Sequence, residues 1–145
     1  MTVGVLHGPN LNLLGRREPE TYGFEDLDSI NRRIADAAAE LDAESEFFQS
    51  NIEGELVDWI QRAEARLDGL LVNAGGYTHT SVAIRDALAA ISIPFVEVHL
   101  TNVYAREPFR RHSHLSDIAV GLVVGFGGDS YILALQGLVA YLRRR

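Results

Sequence analysis

The sequence predicts an α/β architecture, a parallel five-stranded sheet covered on both faces by helices, and three observations predict it. Short apolar runs alternate with longer segments of helical periodicity from one end of the chain to the other. The apolar runs stop at clusters of Gly, Pro and Asn, which punctuate strands rather than continue them. The 145 residues, 47% hydrophobic and 23% charged, suit one ordinary globular domain spanning 1–145, large enough to bury a core without disulfide or metal staples.

Taken in order, residues 2–7 form an apolar strand ending at Gly8-Pro9-Asn10. Residues 25–41 carry Leu27, Ile30, Ile34, Ala37 and Leu41 on one helical face. Residues 44–49 read as a more exposed strand. Ser50 and Glu53 have capping-box spacing and are expected to open a helix running to about residue 67. Residues 69–73 form an apolar strand before Gly75-Gly76, and a helix over 81–91 follows. Residues 94–99 are a strand, with Pro94 at its first position. A Val-rich strand over 118–125 and a helix from Gly127-Gly128-Asp129-Ser130 to about residue 142 complete the pattern. Five strands in such an alternation fit the flavodoxin-like order 2-1-3-4-5, a three-layer fold whose ligands bind outside the carboxyl ends of the strands.

Composition excludes several chemistries. The chain has no cysteine, so disulfides, thiolate nucleophiles and Cys-ligated metals are absent. All 13 basic residues are Arg, which rules out a lysine Schiff base and a P-loop lysine. The net charge of −7 argues against nucleic acid as a partner. The longest apolar stretch, 118–126, is far short of the ~20 residues a bilayer span needs, so no membrane partner is expected and a cytoplasmic protein is. The tail Arg143-Arg144-Arg145 is expected to complement the dipole of the last helix.

The strand ends and two long loops, 10–24 and 101–116, hold the unusual residues. In the first loop Arg17 lies close to Tyr22, and a fixed positive charge favours a phenolate, so Tyr22 can serve as a base. The same loop can equally be a surface turn pairing its arginines with Glu18 and Glu20. Asn73-Ala74-Gly75-Gly76 followed by Thr78-His79-Thr80-Ser81 offers either close ligand approach or simple helix capping. Glu97 and His99, two apart on a strand, share a face, so the carboxylate can fix the imidazole's tautomer. A solvated polar edge is the alternative, but the flanking Val96, Val98 and Leu100 look buried. The segment 101–112, with Arg106, Arg110 and Arg111, suggests an anion site in an acidic chain, or charge balance with Glu107 or between subunits.

Gly8-Pro9-Asn10-Leu11-Asn12-Leu13-Leu14-Gly15, Arg17-Glu18-Pro19, Tyr22-Gly23, Asn73-Ala74-Gly75-Gly76, Thr78-His79-Thr80-Ser81, Glu97-Val98-His99 and Ala105-Arg106-Glu107 with Phe109-Arg110 together resemble the type II 3-dehydroquinate dehydratases in order and spacing. The resemblance runs through essentially the whole chain. It departs at Thr101, where the family often has Ser, and at Tyr77, where Leu is common. It implies a cofactor-free and metal-free hydro-lyase that removes water from 3-dehydroquinate by anti elimination through an enolate, in the shikimate pathway of aromatic amino acid biosynthesis. The lysine-dependent type I route is independently excluded by composition. Carried over, Tyr22 is the base and Arg17 its activator. Asn10 holds a water against the enolate oxygen, and His99 is the acid, oriented by Glu97. Asn73, His79, Leu100, Thr101 and Arg110 bind the carboxylate and ring hydroxyls, and Arg106 supports a lid over about 15–24. The family forms dodecamers of four trimers, and Asp86 matches an Asp contributed by the neighbouring subunit. The alternative from another class is a flavodoxin-like small-molecule binding or signalling module, against which stand Pro9 and the leucines after the first strand.

Overall fold

The computed structural model describes residues 1–16, 20 and 25–145. Five strands, β1 (Thr2–His7), β2 (Glu44–Gln49), β3 (Gly69–Asn73), β4 (Phe95–His99) and β5 (Gly121–Val124), form one parallel sheet in the order β2-β1-β3-β4-β5. The longer helices are α1 (Leu27–Glu40), α2 (Glu53–Ala63), α3 (Val82–Ala90) and α4 (Asp129–Arg144). This is the flavodoxin-like three-layer arrangement expected from the alternation.

The two-residue period of the strands sorts the sheet's side chains between two cores. Val3, Val5, Leu71, Val96 and Val98 face α1 and α4, meeting Ile30, Ile34, Leu135 and Leu138. Leu6, Leu70, Val72 and Phe95 face α2 and α3, meeting Leu56, Trp59, Ile60 and Ile84. Each such aliphatic side chain, fully buried, contributes about 1.5–3 kcal/mol. The same period carries into the strand ends. His7 and Asn73 continue the parity of the α1/α4 face, whereas Glu97 and His99 continue that of Phe95 on the other face.

The apolar face predicted for α1 holds, with Ile30 and Ile34 in the core and Leu27, Ala37 and Leu41 packed at its margin. Three boundaries differ from expectation, the first being the end of α2, at Ala63 rather than about residue 67. The Ser50–Glu53 capping box does not form, because the Ser50 amide is held by the His7 carbonyl at 3.2 Å. Ser50 Oγ instead accepts from the Ile52 amide at 2.9 Å and donates to Glu55 at 2.5 Å, so α2 begins at Glu53 behind Ile52. β5 begins at Gly121 rather than 118, because the Ile118 and Ala119 amides turn back onto the Leu115 carbonyl at 3.1 and 3.2 Å. At the C-terminus Arg143 and Arg144 lie in the last turn of α4, as the dipole argument predicts, and Arg143 also donates to the Leu41 carbonyl at the end of α1. Among the described residues no helix is long and apolar enough to cross a membrane.

Candidate active site

The carboxyl ends of β1, β3 and β4 converge on one cleft. At the end of β1 the Gly8 amide donates to the Asn73 carbonyl at 2.7 Å, drawing the two strand ends together. Only glycine permits this approach, because a Cβ at residue 8 would lie 2.3 Å from the Ala74 carbonyl oxygen. Pro9 follows, and Asn10 then turns the chain in the left-handed region at φ 69, its amide held by Asn51 Oδ1 at 2.9 Å. Asn is among the few side chains that visit this region readily.

The cleft is lined by Asn10, Asn73, His79, His99, Leu100, Thr101, Arg106 and Arg110, together with Pro9, Leu11, Gly75, Gly76 and Val103. Its volume of about 150 Å³ is room for one six-membered ring. Seven of the residues expected to bind or process substrate are thus neighbours in space, although they come from four separate stretches of the sequence. Glu97 lies directly behind them. It is 1% exposed, and its Oε2 is 2.5 Å from His99 Nε2. Ser113 and Ser116 also donate to this carboxylate, at 3.0 Å and 2.6 Å. Burial pushes the Glu97 carboxyl up, but the hydrogen bonds from His99, Ser116 and Ser113 outweigh it and hold the group below the ordinary carboxylate range. A buried carboxylate kept ionised beside an imidazole is suited to bearing an imidazolium's charge.

His79 stacks on His99 with ring centroids 6.4 Å apart, and its Nδ1 donates to the His112 carbonyl at 2.8 Å. Partial burial lowers its pKa; the His112 bond opposes that, and its proximity to His99 and to the Arg110 guanidinium reinforces it. On the outer wall Arg106 reaches Thr101 Oγ1 at 3.4 Å, and Arg110 pairs with Glu107 while lying 5.0 Å over the Phe109 ring. Two guanidinium groups thus stand at the rim of a polar cleft in a chain of net charge −7, Arg110 with its Nε turned to Glu107.

Asn73 is gripped from behind. Its Nδ2 donates to Tyr131 Oη at 3.0 Å and its Oδ1 accepts from the Gly75 amide at 3.2 Å. Tyr131 Oη lies 2.8 Å from His7 Nδ1, and His7 Nε2 lies 2.8 Å from Asn31 Oδ1. The Gly75 amide can only donate, which fixes the Asn73 amide, and Asn31 Oδ1 can only accept, which fixes the neutral His7 ring and with it the Tyr131 proton. Asn73 donates to Tyr131, Tyr131 donates to His7 Nδ1, and His7 donates from Nε2 to Asn31. Burial holds His7 neutral, its pKa lowered to about 4 despite the Asn31 bond, and raises that of Tyr131.

One expected site residue, Asp86, and one position of departure from the family pattern, Tyr77, stand apart from the cleft. Asp86 lies on the exposed face of α3 and is not among its lining residues. Tyr77 is turned away, its hydroxyl donating to the Asn51 carbonyl at 2.8 Å. Arg17, Tyr22 and most of the expected lid over 15–24 lie outside the described residues. Sequence reasoning missed Ser113, Ser116, Tyr131 and Asn31, ordinary residues whose partners are far away in the chain. Among the described residues no cluster of His, Asp and Glu assembles as a metal site.

The class of protein is thus a flavodoxin-like α/β domain with a polar, arginine-rimmed cleft and a buried carboxylate–imidazole pair at the carboxyl edge of its sheet. The model of the family described as dehydroquinase class II matches residues 1–139. The chain belongs to that family. It is 56% identical over 144 residues to the 3-dehydroquinate dehydratase of Prochlorococcus marinus (strain NATL1A), covering 99% of both chains. It is 56% identical over 140 residues to that of Tolumonas auensis, covering 97% of this chain and 92% of the relative. The crystal structure of type II dehydroquinase from Butyrivibrio crossotus superposes with a TM-score of 0.93 at 44% identity, covering 95% of this chain and 97% of the other.

Proposed function

We propose that this chain is a 3-dehydroquinate dehydratase acting in the shikimate pathway. The reaction takes a proton from the carbon alpha to a ketone, passes through an enolate and expels a hydroxyl as water. Tyr22 is the base, with Arg17 favouring its phenolate and the developing enolate. Asn10 holds the water that hydrogen-bonds the enolate oxygen. His99, as imidazolium, protonates the departing hydroxyl. Its Nε2 is engaged by Glu97, so the proton delivered is the one on Nδ1. Asn73, His79, Leu100, Thr101 and Arg110 bind the carboxylate and ring hydroxyls, and a site built to hydrogen-bond hydroxyls rejects analogues that lack them.

The single observation that carries this reading is the cleft itself, sized for one ring, with an ionised Glu97 against His99 and arginines at the rim. The whole chain acts as one domain with a lid over about 15–24 that closes on substrate. It works as a cytoplasmic dodecamer of four trimers, in which Asp86 of a neighbouring subunit completes each site. The exposure of Asp86 on α3 fits a residue that serves a site other than its own.

The test is ultraviolet absorbance of the conjugated product when 3-dehydroquinate is added to wild-type and Tyr22→Phe protein. Turnover by wild type that falls at least 100-fold in the variant is expected, the size of a lost general base. Full turnover by the variant would move the base elsewhere. No turnover by a folded wild type would sink the dehydratase reading and restore the binding-module alternative.

A further inference from the structure

Ser113 Oγ accepts hydrogen bonds from the Leu115 amide at 3.0 Å and the Ser116 amide at 3.2 Å. A hydroxyl has two lone pairs and one proton, so the proton of Ser113 is left for Glu97, both of whose oxygens lie at 3.0 Å. Ser116 Oγ donates to Glu97 Oε1 at 2.6 Å. The two donated hydroxyls help hold Glu97 as the carboxylate, which can only accept, so His99 donates to it from Nε2. Without the serines the shared proton could settle on Glu97, and His99 would be left a neutral imidazole, a much weaker acid at Nδ1 than the imidazolium. The same turn reaches the second imidazole. The His112 carbonyl can only accept, so it places the Nδ1 proton of His79.

The turn is itself held firmly. Leu115 is fully buried, the His114 amide donates to the Thr78 carbonyl at 2.9 Å, and Arg85 donates to the His114 carbonyl at 2.8 Å while pairing with Asp117. It is therefore a rigid support placed behind two titratable groups, with nothing in its residue types that a catalytic motif would require.

We propose that the turn over residues 112–116 is a positioning element that fixes the proton held at Nε2 of His99 and at Nδ1 of His79, with Ser113 and Ser116 as positioning residues acting through Glu97. This rests on the acid role given to His99 above. The lowered pKa of Glu97 supports it; His99 on its own strand and His79 from the turn after β3 are the titratable groups that act on that carboxylate, and His112 and His114 lie in the supporting turn.

The test measures kcat and KM for 3-dehydroquinate against pH in wild type, Ser116→Ala, Ser113→Ala, the double variant and Ser116→Thr. Each lost hydroxyl is expected to lower kcat about tenfold at neutral pH, the effect of one hydrogen bond to a charged group, with KM within about twofold. The acid limb of the kcat profile should move up by about one pH unit as Glu97 holds its charge less firmly. Ser116→Thr, which keeps the hydroxyl, should restore both. Ser113 also holds two amides of the turn, so Ser116→Ala, whose hydroxyl serves Glu97, decides the matter if Ser113→Ala does not fold. Wild-type kcat and an unmoved acid limb in Ser116→Ala, in an enzyme whose wild type turns over, would overturn this inference alone. A folded wild type without turnover would overturn the dehydratase reading and this inference with it.

Discussion

Acidification should destabilise this protein through a residue that the chemistry does not use. His7 is fully buried, and its imidazole is neutral because burial lowers its pKa from 6.5 to about 4. In the unfolded chain the same imidazole takes up a proton as pH falls through 6.5. Between 6.5 and about 4 the unfolded state therefore holds more protons, and stability falls as pH falls, the loss being complete below about 4. At 1.36 kcal/mol per pH unit the full loss is about 3 kcal/mol, with roughly 2 kcal/mol of it gone by pH 5. Glu97 also loses stability in acid, but its folded pKa lies below the carboxylate value of 4.5, so its window opens below that of His7. Urea unfolding at pH 7 and pH 5, at one fixed protein concentration, separates the two. His7→Gln supplies a donor and an acceptor that do not titrate, so its loss between pH 7 and 5 should be smaller than the wild type's by roughly 2 kcal/mol. An equal loss in the variant would refute the assignment of this acid sensitivity to His7.

Other consequences follow from the same geometry. Tyr131→Phe removes the hydroxyl that accepts from Asn73 and donates to His7, leaving two buried polar groups unpaired, and should cost about 1–3 kcal/mol in denaturant unfolding at pH 7. Gly8→Ala sets a methyl 2.3 Å from the Ala74 carbonyl oxygen and must push β1 and β3 apart at the cleft, so both melting temperature and turnover should drop. Asn10→Ala should lose about 1–2 kcal/mol from its left-handed backbone, whereas Asn10→Gly should keep stability and still lose activity, which a paired melting and rate measurement would show.

What was legible in the sequence was whatever local spacing determines. The strand and helix alternation follows from apolar periodicity, and the pairing of Glu97 with His99 follows from their separation by two on one strand. The capping box at Ser50 was misread because a tertiary contact, the His7 carbonyl, took the Ser50 amide before a helix could. Ser113, Ser116 and Tyr131 were invisible for a related reason. A serine 16 residues from Glu97, or a tyrosine 58 residues from Asn73, acquires its role only when the sheet brings the strand ends together. The expectation for Asp86 rests on family resemblance alone, since nothing on its own helix gives it a cleft to serve.

The parity of the sheet explains why the cleft needs two supports. Asn73 projects toward α1 and α4, where Tyr131 and His7 fix its amide, while Glu97 and His99 project toward the opposite face, where the turn over residues 112–116 fixes the carboxylate. Neither support touches the other's face, because the sheet lies between them. Damage to one should therefore leave the other's geometry intact, and the free-energy effects of Tyr131→Phe and Ser116→Ala on kcat/KM should add to within about 0.5 kcal/mol. A larger coupling between them would mean that the two faces communicate through the strands, and that the sheet is not the rigid partition its close packing implies.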